Sequence, residues 1–161
     1  MKRITTLIAM ALTIIFNASA QQATNLTDDQ VREVVAKYMA VKDALVKTDG
    51  TTASTSAKEL VASLGDSKAK LVADIRFDAE HIAETTKSGH QRDHFETLSE
   101  NIYKLVKESK ANKMPLYRQY CPMALNNTGA YWLSTEKQVL NPYFGDMMLR
   151  CGSVKETIAV Q

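Results

Sequence analysis

The sulfur-containing side chains of this protein are concentrated between Met114 and Gly152. That stretch holds both cysteines, Cys121 and Cys151, and four of the five methionines that lie beyond residue 20. Thiolate and thioether sulfur are polarisable donors, which proteins use to hold Cu(I) in preference to hard cations. The composition of this segment therefore predicts a site for a soft metal ion.

Four of these sulfur atoms form the predicted site. Met148 and Cys151 lie three residues apart, a spacing that puts two side chains on one face of a helical turn. Cys121 and Met123 can supply further sulfur from a facing loop. Two thiolates and a thioether suit Cu(I). Ordinary core filling is the alternative for each methionine, because methionine packs irregular gaps well.

Histidines supply further candidate ligands in the first two thirds of the chain. His90 and His94 are four residues apart and share a helix face, and His94 also continues an apolar stripe toward the interior. His81 can approach them across a turn at Ser88-Gly89. A neutral imidazole binds copper or zinc, although most helix histidines are solvated or hydrogen-bonded. We add His94 to the predicted sulfur ligands.

The two cysteines can instead form a disulfide. Cys121 and Cys151 enclose 29 residues, and a bridge that closes such a loop stabilises a fold by about 3 to 4 kcal/mol through chain entropy. An oxidising compartment favours the bridge, whereas a metal needs both sulfurs as thiolates, so the two states exclude each other. Zinc held by both cysteines and two histidines is the competing metal site, but the short cysteine spacing typical of zinc sites is missing.

The N-terminus predicts export from the cytoplasm. Lys2 and Arg3 precede an apolar run from Ile4 to Phe16, and Ala18-Ser19-Ala20 has the small-x-small form of a cleavage site. The run is shorter than the roughly 20 residues that span a bilayer. We therefore expect residues 1–20 to be a signal peptide, whose removal leaves a soluble periplasmic protein that is not inserted in a membrane.

Charge and motif content exclude several classes of function. The leader carries two of the 20 basic residues and none of the 18 acidic ones, so the remaining chain has no net charge. Nothing therefore favours nucleic acid as a partner.

The sequence contains no Cys-x-x-Cys, nucleophile elbow, phosphate-binding glycine loop or His-Glu-x-x-His. We expect a binding protein with a metal ion as ligand, and not an enzyme.

The segment that carries the histidines, residues 27–111, has the apolar periodicity of α-helices. Apolar residues recur at helical spacing in four stretches, the first of which opens with a possible capping box at Thr27-Asp28-Asp29-Gln30. Breaks fall at Asp49-Gly50, at Gly65-Asp66 and at Ser88-Gly89, with Asp66 expected to cap the third helix. Four helices with short connections predict an all-α fold, an up-and-down four-helix bundle over residues 27–111.

Residues 112–161 have a different composition. Prolines and glycines rule out one long helix there, and no alternating strand pattern of any length is evident. We expect short turns over Ser134–Leu140 and Gly145–Arg150, and a last turn opened by a capping box at Ser153-x-x-Glu156. The segment holds six of the ten aromatic residues beyond residue 20. This irregular Cys/Met/aromatic-rich segment should therefore pack on the bundle, giving one helical domain over residues 21–161.

Several motifs are similar to a known bacterial domain family of unknown function. They are Tyr120-Cys121-Pro122-Met123-Ala124, Gly129-Ala130-Tyr131-Trp132-Leu133-Ser134, Asn141-Pro142-Tyr143-Phe144-Gly145, Met148 and Cys151-Gly152, with Tyr38-Met39-Ala40-Val41-Lys42-Asp43-Ala44-Leu45-Val46 and His94-Phe95-Glu96-Thr97-Leu98-Ser99 in the helical half. The likeness is closest in the C-terminal third. The family occurs alone in exported proteins, and fused to periplasmic adaptor subunits of heavy-metal efflux systems.

The resemblance implies a heavy-metal context, with copper as the expected ion and an efflux adaptor as a partner. Cys121, Met123, Met148 and Cys151 coincide with sulfur positions of the family's C-terminal signature, and His94 with a histidine common before the phenylalanine. We expect a standalone form that does not itself act as the adaptor. The predicted function is capture or delivery of Cu(I) for efflux or tolerance. The alternative is a disulfide-stabilised structural or protein-interaction module without metal.

Overall fold

The computed structural model describes residues 24–160. The predicted signal peptide, residues 1–20, lies outside the described residues. The regular elements are the helices α1 (Asp28–Val46), α2 (Gly50–Ser63), α3 (Lys70–Ala83) and α4 (Ser88–Ser109), the strand β1 (Leu116–Cys121), the short helical turn α5 (Ala124–Asn127), the strand β2 (Ala130–Ser134), a 3-10 turn (Gly145–Met147) and the strand β3 (Ser153–Ile158). None of the described helices has the length and apolar character needed to cross a membrane.

The prediction of an all-α fold is wrong, because the C-terminal segment contains a three-stranded antiparallel sheet. β1 lies in the centre, with β2 and β3 paired to its two sides. The protein is therefore a mixed α and β structure, with four helices followed by the sheet. β1 and β2 are short and bury side chains on both faces, so they lack the clean alternation that marks a half-exposed strand.

Some predicted element boundaries are also wrong. The pattern Ser153-x-x-Glu156 belongs to β3 and caps no helix. Asp66 does not cap α3, which begins at Lys70 with Ala69 at the capping position and no side-chain cap. In the predicted turn over residues 134–140, Ser134 ends β2 and residues 135–138 form bends, while the predicted turn at 145–150 begins as the 3-10 turn.

The capping box predicted at the start of α1 is confirmed. The Thr27 side chain accepts a hydrogen bond from the Gln30 amide, and the Gln30 side chain accepts one from the Thr27 amide. Asp28 and Asp29 occupy the first turn, where negative charge is favoured by the helix dipole. This end of the helix is thus specified by local sequence alone.

A single apolar core joins the helices to the sheet. Tyr38 on α1 stacks on Phe95 of α4 with ring centroids 5.2 Å apart, and Phe95 also contacts Tyr143 at 5.8 Å. Trp132 of β2 packs edge-on against Tyr143 at 5.9 Å. The Tyr38 hydroxyl accepts a hydrogen bond from the backbone amide of Leu133 at 3.0 Å. The C-terminal segment therefore completes the hydrophobic core of the helices.

Charged side chains join the sheet to α4. The Arg118 guanidinium of β1 lies 4.0 Å from the ring centroids of both Tyr103 and Tyr131, and it donates to the Glu100 carboxylate at 2.8 and 2.9 Å. Glu156 of β3 accepts from Lys107 and from Tyr103. The hydrogen bond from Lys107 is the main cause that lowers the pKa of Glu156. These contacts hold β1 and β3 in place, and with them the two cysteines.

Candidate metal centre

Cys121 and Cys151 lie side by side, with their Sγ atoms 2.7 Å apart. Cys121 ends the central strand β1 and is fully buried, whereas Cys151 lies just before β3 and is partly exposed. Both are free thiols. Because β1 pairs with β3, the sheet brings together two residues that are 30 positions apart in the chain. The arrangement provides the proximity that a disulfide and a dithiolate metal site both require.

The backbone around Cys151 is fixed by hydrogen bonds and by a glycine. The Cys151 backbone amide donates to the Met148 carbonyl at 3.0 Å, and the side-chain amide of the buried Asn141 donates to the Cys151 carbonyl at 2.9 Å. Gly152 has φ +137°, and a Cβ there would lie 2.8 Å from the Tyr120 carbonyl oxygen. Glycine therefore lets the chain pass close to β1 and sets the Cys151 thiol against Cys121.

The local electrostatics favour the protonated form of the Cys151 thiol in the absence of metal. The hydrogen bond with Cys121 raises the pKa of the Cys151 thiol above its ordinary value, and burial adds to this effect. A backbone hydrogen bond from Met123 acts in the opposite direction, because an amide donor stabilises the thiolate. A metal ion must displace the protons from this pair, so its apparent affinity should increase with pH.

The two predicted methionine ligands, Met123 and Met148, are near Cys151 by their backbone atoms. The Met123 backbone lies close enough to Cys151 to lower the pKa of its thiol, and the Met148 carbonyl accepts a hydrogen bond from the Cys151 backbone amide. The Met123 side chain is 46% exposed and Met147 is exposed as well, whereas Met148 is intermediate. Core filling therefore does not explain Met123 or Met147. The Met123 thioether belongs to an exposed side chain two residues after Cys121.

His94 lies in a different cluster, on the face of α4 that contacts α3. Its Nδ1 atom is 3.2 Å from an Oδ1 atom of Asp78, and its ring packs against the rings of His81 and His90. Within residues 24–160, no group of three or more His, Cys, Asp or Glu side chains is already arranged to hold a metal ion. His94 therefore does not complete a site with the cysteines, and the two-cysteine, two-histidine zinc site is not assembled either.

The three histidines of the chain nevertheless meet at the α3–α4 pair. The ring centroids of His81 and His94 are 4.5 Å apart, and those of His90 and His94 are 4.9 Å apart. His81 thus approaches the other two across the connection between the helices, as the sequence indicated. Its Nδ1 atom lies 2.9 Å from the carbonyl oxygen of Phe77.

Asp78 is the residue of this cluster that the sequence analysis missed. It is 5% exposed, and burial raises the pKa of its carboxyl group while the hydrogen bond with His94 opposes that rise. A signal was present, because Asp78 lies three residues after Ile75 and four before Ile82 and so shares the buried face of α3.

The helical part of the chain matches a known protein family. Residues 34–114 match the family described as "Protein of unknown function (DUF3347)". The match covers the helices from within α1 through α4 and ends just before β1, so both cysteines lie outside it. Neither a curated protein nor a solved structure gives a significant match. Because half of the 161 residues are matched, the chain belongs to the DUF3347 family.

Proposed function

We propose that this protein binds Cu(I) in the periplasm through the reduced thiols of Cys121 and Cys151, for capture or delivery of the ion in metal efflux or tolerance. The observation that carries the proposal is the contact between the two thiols, 2.7 Å apart at the end of the sheet. Two adjacent thiolates neutralise and exceed the charge of a monovalent ion, and soft sulfur donors favour copper in that state.

Metal binding requires the two sulfur atoms to separate. Metal–thiolate bonds of about 2.3 Å put two sulfur ligands of one ion roughly 3.7 Å or more apart. Cys121 is held in the core at the end of β1, whereas Cys151 is partly exposed in the connection to β3. We therefore expect the Cys151 side chain to move away from Cys121 when the ion binds.

The third donor in this proposal is a methionine. The Met123 thioether is exposed and follows Cys121 by two residues, and the Met148 backbone already contacts Cys151. His94 has no part in this copper site, because its described contacts are with the α3–α4 histidine cluster. A periplasmic efflux adaptor is the partner we propose, on the resemblance of the C-terminal motifs to domains fused to such adaptors.

Cu(I) titration of the reduced chain against a competing chelator tests the copper site. Cys121→Ser and Cys151→Ser should each weaken binding by more than about 100-fold, because changes outside the ligand set alone cost 10–100-fold. Met123→Leu should weaken it less, by about tenfold. Met114→Leu is the matched control: Met114 is also exposed, at 54%, but lines an apolar groove beside α1 and α4. Unchanged affinity in both serine variants would remove the cysteines from the site.

A disulfide-stabilised interaction module without metal is the second candidate, and the same short distance between the thiols favours it. The two functions differ in the state of the cysteines in the cell. Under the copper proposal, protein released from the periplasm into a thiol-trapping reagent should give two reactive thiols per chain once its metal is chelated. Fully oxidised, metal-free protein that resists mild reduction would favour the module and contradict the copper proposal.

A further inference from the structure

We infer that His81, His90 and His94 form a second metal site, for a borderline divalent transition metal ion such as Zn²⁺, with Asp78 as the residue that orients His94. This site shares no residue with the cysteine pair and uses nitrogen donors in place of sulfur. It therefore differs from the proposed copper site in both place and chemistry.

The spacing of the histidines suits a shared ion. His90 and His94 lie one helical turn apart on α4, the i, i+4 spacing by which helices present two imidazoles to one zinc ion. His81 adds a third ring from near the end of α3, 4.5 Å from the His94 ring between centroids. All three histidines of the 161-residue chain thus meet at one place.

The hydrogen bonds select the nitrogen atom that remains free for a metal. Nδ1 of His81 faces the Phe77 carbonyl oxygen at 2.9 Å, an acceptor that requires the proton to be on Nδ1. Nδ1 of His94 faces the Asp78 carboxylate at 3.2 Å. In the neutral rings Nε2 then carries a lone pair and no proton. Both rings are therefore in the tautomer that offers Nε2 as a ligand.

Asp78 has the position of an outer-shell residue. Histidines that bind metals characteristically donate their second nitrogen to a carboxylate or a carbonyl, which fixes the ring and increases its basicity. Asp78 is buried, so its carboxylate is held in place behind His94. In front of His94 lies a surface cavity of about 530 Å³, whose lining includes Asp74 and Asp93. The cavity borders His94 and Asp78, whereas His81 and His90 do not line it.

Binding requires the rings to turn, because His81 and His94 are stacked, with 27° between their planes, and do not point at a common centre. This is consistent with the absence of a preformed metal-binding group among the described residues. His90 is exposed in the first two turns of α4 and His81 is half-buried, so both rings are at the surface. His94 is the fixed member, since Asp78 holds it.

Zn²⁺ calorimetry on the full chain with both cysteines changed to serine tests this site without interference from the thiols. We expect one Zn²⁺ per chain, and at least a tenfold loss of affinity in each of His81→Ala, His90→Ala and His94→Ala. Asp78→Asn should weaken binding less than His94→Ala does. Glu108→Gln, an exposed acid on α4 outside the cluster, should leave it unchanged.

A measurement on the parent chain keeps the test independent of the cysteine changes. In ¹H–¹⁵N spectra of the imidazoles, addition of Zn²⁺ should shift the Nε2 signals of His81 and His94 and leave their Nδ1 protons in place. Absence of saturable binding below millimolar Zn²⁺, equal affinity in the three histidine variants, or metal on Nδ1 would each overturn the inference.

Discussion

Phe95→Ala should lower the free energy of unfolding by about 3–5 kcal/mol, the cost of replacing a fully buried aromatic ring by a methyl group. The Phe95 ring is completely buried between Tyr38 of α1 and Tyr143 of the C-terminal segment. Its loss leaves a cavity where the helices and the sheet segment meet. Urea denaturation followed by circular dichroism measures the change.

Phe77→Ala is the matched control for this prediction, because Phe77 lies on a neighbouring helix and is 57% exposed. Its substitution should change the free energy of unfolding by less than about 0.5 kcal/mol. A cost below about 1 kcal/mol for Phe95→Ala would contradict the shared core described above.

Gly50→Ala should cost about 1–3 kcal/mol, the usual range for forcing extra atoms into a packed site. A Cβ at Gly50 would lie 2.0 Å from the Thr86 carbonyl oxygen in the connection between α3 and α4. That connection is held by the Gln91 side chain, whose amide donates to the carbonyl oxygens of Gly50, Ile82 and Thr85. The backbone therefore has little freedom to move away from the new methyl group.

Gly89→Ala provides the opposite case in the first turn of α4. A Cβ at Gly89 meets nothing within 4 Å, and alanine is favoured over glycine in a helix by about 0.5–1 kcal/mol. Thermal denaturation should thus show a lower midpoint for Gly50→Ala and an equal or higher midpoint for Gly89→Ala. Equal behaviour of the two variants would show that the close contact at Thr86 does not constrain the fold.

The helices were predictable because their signals are local. Apolar residues repeat at helical spacing over 14 to 22 residues in each of α1 to α4, and the Thr27 capping box is complete within four residues. Each strand has only five or six residues, and β1 and β2 are buried by contacts that the chain makes far away in sequence. Ser153-x-x-Glu156 shows the ambiguity directly, since the same letters fit a capping box and an edge strand.

The sequence identified the residue types of the candidate sites, but it did not predict which of these residues lie together in the fold. The sequence identified the cysteines, but their contact depends on the pairing of β1 with β3, which was not predicted. The sequence also predicted that His94 continues the apolar stripe of α4, but it did not predict which element packs against that side of the helix. In the structure the neighbour is α3, so His94 contacts Asp78 and does not contact the cysteines of the sheet segment.

Residues beyond the family match contribute to the hydrophobic core of the helical half. Residues 34–114 end before β1, yet Trp132 and Tyr143 from beyond that boundary cover the rings on which α1 and α4 pack. Cleavage near Met114 would remove the contacts of Tyr143 with Phe95 and so expose part of those rings to water. The helical half on its own should therefore be less stable than the full chain, because burial of apolar surface is the main stabilising term of a fold.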